Sequence, residues 1–134
     1  MVLARDLHLV LPALVSGAAA LIPGGSGFDP RRTLRMMEAR GVTHAFLVTG
    51  DCRRLLDHCR ARGRILPQTL RPLLVGAAPV PAPFLARLRE ILPPGASAWC
   101  VYGAIELLPI ARVALEEKVG WPGEGDLVGP PLPG

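Results

Sequence analysis

Aromatic side chains are scarce in this sequence of 134 residues: tryptophan, tyrosine and phenylalanine together make up 4% of it. Surfaces that follow single-stranded nucleic acid stack bases on interleaved rings. So few rings argue against that class despite a formal charge of +4. The basic residues also scatter over several predicted helices, and fourteen of the fifteen are arginine, a compositional habit more than a stripe. Cysteine is sparse too. Cys52, Cys59 and Cys100 show no CxxC spacing and cannot build a disulfide framework. Cys52 and Cys59 can share a helical face beside His58, but a zinc site would need a fourth ligand. Free, buried thiols in a reducing, cytoplasmic setting are the expectation.

Two further absences concern phosphates and membranes. The loop Pro23-Gly24-Gly25-Ser26-Gly27 is followed by no Gly-Lys-Ser/Thr, so it is not a phosphate loop, nor is it a dinucleotide fingerprint. The uncharged stretch Leu7 to Ile22 is short for a membrane span of ~20 residues. Its ending, Ser16-Gly17-Ala18-Ala19-Ala20, superficially resembles a signal-peptide cleavage region. Pro12 interrupts the apolar run, and Arg5 and Asp6 cancel, so a buried helix leading into a strand accounts for it equally well.

What is present is apolar and punctuated. Half the residues are hydrophobic and 19% are charged, enough for a real core within one domain. Fifteen glycines and fifteen prolines imply short elements and many turns. An apolar helix is expected to about Ser16, then a strand from Ala18 to Ile22. Asp29 and Pro30 make a helix start for Arg31 to Arg40, with Leu34, Met36 and Met37 inward and Gly41 as the stop. Val42 to Val48 is a strand. Asp51 is expected to cap a helix running to about Arg62, with Leu55, Leu56 and Cys59 inward. Arg53, Asp57 and Arg60 form its solvated, salt-bridged face. Leu73 to Val75 is a strand. Pro81 and Pro83 open a helix carrying Phe84, Leu85, Leu88, Ile91 and Leu92. Ala96 to Cys100 is a buried strand, and Gly120 to Gly134 is a Gly/Pro-rich surface tail. The alternation predicts an α/β fold with a partial, mostly parallel sheet and flanking helices.

Two turns carry chemistry. Gly76-Ala77-Ala78-Pro79 and Tyr102-Gly103-Ala104-Ile105-Glu106 each follow a predicted strand, with one helix between them. A strand–helix–strand crossover brings such turns to one sheet edge, where ligands of α/β folds bind. Small residues let backbone approach a flat ligand, Tyr102 can stack on it, and Glu106 can hold Mg²⁺ through oxygen. The alternative is that both are ordinary βα turns. His8 and His44 read as packing or surface residues rather than ligands.

These residues resemble the central part of the AMP-forming adenylating superfamily, which includes acyl-CoA synthetases and has the signature Tyr-Gly-x-Thr-Glu. His8 followed by Gly17-Ala18, then Phe28-Asp29-Pro30, Val42-Thr43-His44 and the closing run Val128 to Gly134, fall in the same order as in that superfamily. Glu106 to Ala111 is similar to fatty-acyl-CoA ligases and the β-lactone synthetases of olefin biosynthesis. The resemblance implies part of a large N-terminal adenylation domain. It implies that Gly76, Ala77 and Ala78 line an adenine pocket and that Tyr102 packs on the base. Gly103, Ala104 and Ile105 would continue the nucleotide wall, and Glu106 would hold Mg²⁺ between ATP phosphates. Fatty acid and CoA-type substrates follow from the same likeness.

The departures are equally specific. Ile105 stands where the signature has threonine, and a lost hydrogen bond to a charged group costs roughly 1.5–3 kcal/mol. The phosphate loop, the ribose-holding aspartate and the lysine-bearing C-terminal domain are missing from the sequence, and Lys118 stands in another context. Thr49-Gly50-Asp51 matches a family motif in letters but precedes Tyr102 instead of following it. The expectation is a fragment or degenerate member that is inactive alone, complemented in trans or self-associating. The alternative is a non-catalytic α/β module binding a nucleotide, acyl group or protein.

Overall fold

A computed structural model describes residues 1–134 except Asp6, Ser26, Ile105 and Gly134, and without the side chains of Leu7 and His8. Six strands form one sheet in the order β2-β1-β3-β4-β5-β6. They are β1 (Val2–Leu3), β2 (Ala20–Leu21), β3 (His44–Val48), β4 (Pro72–Gly76), β5 (Ser97–Ala104) and β6 (Leu107–Ala114). The first five run parallel, and β6 returns antiparallel to β5. The helices are α1 (Leu7–Val15), α2 (Pro30–Ala39), α3 (Thr49–Arg60), α4 (Ala82–Arg89) and α5 (Leu115–Val119). The mixed, mostly parallel sheet with flanking helices is the expected class.

Local chemistry explains most element ends. The Asp29 carboxylate accepts from the backbone N–H groups of Arg31 (2.9 Å) and Arg32 (3.2 Å), and Pro30 sits in the first turn. The Arg32 N–H is the main reason that this carboxyl titrates below its ordinary value. Gly41 takes φ +57° directly after α2, a conformation with little cost for glycine alone. In α4, Pro81 occupies the N-cap position and Pro83 the first turn, where a missing N–H removes no helical bond.

Side-chain alternation along the strands separates two layers. Ala45 and Leu47 of β3, Leu73 and Val75 of β4, Ala98 and Cys100 of β5 and Val113 of β6 share one core. Leu34, Met37, Leu55, Leu56, Phe84, Leu85, Leu88 and Leu115 from α2–α5 complete it. The interleaved Phe46 and Leu74 join Ala4, Leu9, Val10 and Ala20 in a smaller cluster under α1. Beyond α1 this second face thins: Trp99 and Val101 are half-buried, and the Arg112 guanidinium lies 4.7 Å above the Trp99 ring.

Several expectations change. Asp51 is not the cap of α3; Val48 holds that position without a side-chain bond, and Asp51 lies in the first turn. The chain turns from β3 into α3 with no intervening loop, and the adjacent Thr49 hydroxyl bonds across to the β4 loop instead. Arg60 pairs at 3.5 Å with Glu90, the residue that caps the end of α4, and Arg53 lies over the Phe84 ring, so this face links two helices as well as meeting solvent. Tyr102, Gly103 and Ala104 belong to β5, and the reversal after them is a β-hairpin, not a βα turn. Strand β6, with Pro109 inside it, was not anticipated. Pro109 is tolerated because β6 is an edge strand, where a missing N–H breaks no central ladder. Ile105 and the His8 side chain lie outside the described residues.

The Gly/Pro-rich tail is mostly exposed, as expected, but it is also docked. The Leu132 N–H donates to the Ile110 carbonyl at 2.8 Å, and Pro131 bridges Ala111. Leu127, Val128 and Gly129 are half-buried.

Candidate nucleotide cleft

Register brings the two predicted turns together. Gly76 of β4 pairs with Val101 of β5, so Ala77, the first residue beyond β4, lies beside Tyr102, which continues in β5. Gly76 is buried against this pairing: a Cβ there would lie 2.5 Å from the Val101 carbonyl oxygen. Any larger residue would push the two strands apart. Ala77 then adopts φ +65°, a left-handed conformation that costs a residue with a Cβ roughly 1–2 kcal/mol. The Thr49 hydroxyl, itself buried, donates to the Gly76 carbonyl (3.0 Å), with the Ala78 carbonyl at 3.1 Å as a second acceptor. The strained loop is thus held by α3 as well as by β4.

A cleft of about 380 Å³ opens at this edge. Ala77, Ala78, Pro79 and Val80 line one side, Cys100, Val101, Tyr102 and Gly103 the next, and Lys118, Asp126, Leu127 and Val128 the third. Of the predicted residues, Ala77, Ala78, Tyr102 and Gly103 meet in it. Gly76 supports the loop from behind, while Ala104 and the exposed Glu106 lie along the β5–β6 hairpin outside its lining. Ile105 is not described. Tyr102 is 53% exposed, so its ring is free to cover a planar ligand.

Sequence reasoning overlooked the third side. Its signal was the closing run beginning at Val128; Lys118 was set aside as standing in another context, and nothing marked Asp126. Lys118 is 6% exposed, and its Nζ lies 2.6 Å from Asp126 Oδ1. Cys100 is buried beside them, and burial pushes its thiol up to about 11, with Lys118 opposing and Asp126 adding to the rise. Cys52 is pushed up to about 12 and Cys59 upward, both mainly by burial. Such thiols stay protonated at neutral pH and are poor nucleophiles or metal ligands. Among the described residues no His, Cys, Asp and Glu group could hold a metal ion by itself. Glu106 supplies one exposed carboxylate, the number Mg²⁺ uses when substrate phosphates and water fill its other positions.

A cleft at the C-terminal edge of an open α/β sheet stands where ligands of such folds bind. The family described as AMP-binding enzyme matches residues 3–134, and the chain belongs to that family. An olefin beta-lactone synthetase from Xanthomonas campestris is 38% identical over 85 residues, covering 63% of this chain and 14% of that protein. A feruloyl-CoA synthase from an Amycolatopsis species is 34% identical over 114 residues, covering 82% and 22%. In fold the chain is similar to O-succinylbenzoate coenzyme A synthetase from Bacillus subtilis in complex with ATP and magnesium. That match has TM-score 0.78 and 22% identity, over 98% of this chain and 27% of the other. An amide bond synthetase from Marinactinospora thermotolerans gives TM-score 0.75 and 25% identity over 98% and 27%. The chain therefore spans between 14% and 22% of the length of these two sequence relatives.

Proposed function

We propose that these residues form the adenine-facing part of an ATP-dependent, AMP-forming enzyme of the fatty-acyl-CoA ligase type, and that the chain alone does not adenylate. Residues 1–134 are read as one partial adenylation domain, with 120–134 as its Gly/Pro-rich tail. The observation that carries this reading is the meeting of Ala77 and Ala78 with Tyr102 in one cleft across the β4–β5 pair. A purine would lie between the loop backbone and the tyrosine ring. Gly76 and Thr49 keep that backbone in place, Gly103 continues the wall, and Ala104 leads along the hairpin toward Glu106.

In this reading, activation of a fatty acid joins its carboxylate to the nucleotide α-phosphate and releases pyrophosphate, before a CoA-type thiol displaces AMP. Mg²⁺ would enter with ATP and neutralise phosphate charge, with Glu106 as its protein carboxylate. Phosphoryl chemistry depends on positioning and charge neutralisation. This chain offers one carboxylate and no phosphate loop toward it. Binding of the base and catalysis of transfer are therefore expected to separate. A cytoplasmic setting goes with this metabolism; among the described residues no helix is long and apolar enough to cross a membrane.

The alternative, a non-catalytic module for a protein partner or a second copy, draws on the apolar surface of α1, where Leu11, Leu14 and Val15 are exposed. Titration with AMP and an ATP–pyrophosphate exchange assay with added fatty acid separate the readings. Measurable AMP binding, weakened about tenfold or more by Tyr102→Ala, is expected, because base stacking on an aromatic ring contributes roughly 1–3 kcal/mol. Exchange by the isolated chain should be undetectable. Exchange at a normal rate would overturn the inactive-alone reading, and AMP binding indifferent to Tyr102 would remove the cleft.

A further inference from the structure

The third side of the cleft is assembled differently from the other two. Asp126, Leu127 and Val128 belong to the tail, not to the sheet edge. After Val128, the tail is fixed to β6 by Gly129, where any Cβ would collide with the Arg112 carbonyl, and by the Leu132–Ile110 bond. Before Asp126, residues 120–125 are exposed; Leu127 packs partly against the main core, and Asp126 pairs with Lys118. Lys118 is the chain's single lysine, and its side chain is 6% exposed. A buried ammonium without a counter-charge is strongly unfavourable, so departure of Asp126 from the wall is opposed by the charge it would leave behind. Asp126 itself is half-exposed and loses little on leaving. The restraint is therefore anchored at the lysine.

We propose that Lys118 and Asp126 are a positioning pair that holds Leu127 and Val128 as the third wall of the cleft, setting the width of the slot for a purine mononucleotide. The proposal rests on the nucleotide reading for the identity of the ligand, but not for the restraint. The pair acts through the wall: with the ion pair closed, the half-buried Leu127 and Val128 line the cleft together with Ala78 and Tyr102. With it open, the exposed residues 121–126 are held only at α5 and from Leu127 onward, and the third wall loses a restraint.

Cys100 reports on this wall without any catalytic assay. Cys100 is among the lining residues and its thiol feels the charges of both Lys118 and Asp126, whereas Cys52, also buried, sits in α3 and does not line the cleft. The test is iodoacetamide alkylation of the full chain at slightly alkaline pH, read site by site by mass spectrometry. Lys118→Met and Asp126→Asn should each accelerate Cys100 relative to Cys52 by about tenfold, the ratio that ~1.4 kcal/mol of lost restraint produces. Lys118→Arg, which keeps the charge, should stay near the parent rate. AMP should protect Cys100 in the parent chain, and Lys118→Met should need about tenfold more AMP for equal protection. Unchanged Cys100 labelling in both charge-removing variants overturns the proposal, and so does a parallel rise of Cys52, which marks general loosening. Selective Cys100 acceleration without AMP protection in the parent supports the wall and removes the nucleotide reading instead.

Discussion

The two faces of the sheet are unequally covered, and the inequality separates what folds the chain from what it presents. On one face, α2 to α5 enclose a core in which Leu34, Met37, Leu55, Leu56, Leu85 and Leu88 are at most 1% exposed. On the other, α1 covers Phe46 and Leu74, while its outward Leu11, Leu14 and Val15 stay in contact with water. Trp99 beyond it is half-buried under the Arg112 guanidinium. Folding free energy concentrates where apolar area is removed from water. The first face should hold the fold; the second should tolerate change or accept a partner.

The comparison is broken most directly by truncating one side chain on each layer. Phe84→Ala empties a fully buried position and should cost about 3–5 kcal/mol, whereas Leu14→Ala on the outer side of α1 should stay within about 0.5 kcal/mol. Chemical unfolding of the two variants measures the difference, and equal losses would mean that α1 is as strongly engaged as α4. Next in size is an alkaline effect confined to the helix-covered face, where all three thiols lie. Folding raises the Cys52 thiol to about 12 and Cys100 to about 11, from an ordinary 9.0. The unfolded chain then releases these protons first as pH rises. Stability from these thiols is complete below about pH 9 and falls through the window up to 11–12, by about 1.4 kcal/mol per pH unit per thiol. Unfolding midpoints measured from pH 8 to 10.5 should decline, and Cys52→Ala with Cys100→Ala should flatten the decline. The smallest effect belongs to the second face. Arg112→Ala removes a cation from above Trp99 and should cost about 0.5–1 kcal/mol, with a shift in tryptophan emission as the ring meets water. A loss several times larger would show that this face carries more of the fold than its burial implies.

Much of the covered face was legible in the sequence because its signals are local. Asp29 and Pro30 announce α2, Pro81 and Pro83 announce α4, and the helical spacing of Phe84, Leu85 and Leu88 identifies the buried side. The short apolar runs of β3, β4 and β5 stand out for the same reason. The edge was harder to read. Pro109 argues against a strand unless the strand is known to lie at an edge, and that is a property of the sheet, not of the segment. Asp51 has the side chain of a cap, but the tight passage from β3 into α3 leaves that position to Val48. In the cleft, Ala77, Ala78 and Tyr102 could be brought together from the chain alone, because a parallel crossover returns consecutive turns to one edge.

The sequence by itself determined the lineage, the alternating α/β order and the two loops that face the cleft. It also placed Ile105 where the family signature has threonine, a statement about one residue. Tertiary structure alone decided that Tyr102 stands in a hairpin strand, that Gly76 must be glycine because Val101 passes beside it, and that Lys118 is buried against Asp126. Those outcomes depend on which segments lie across from one another. Local propensity carries no information about a counter-charge that arrives from a docked, Gly/Pro-rich tail.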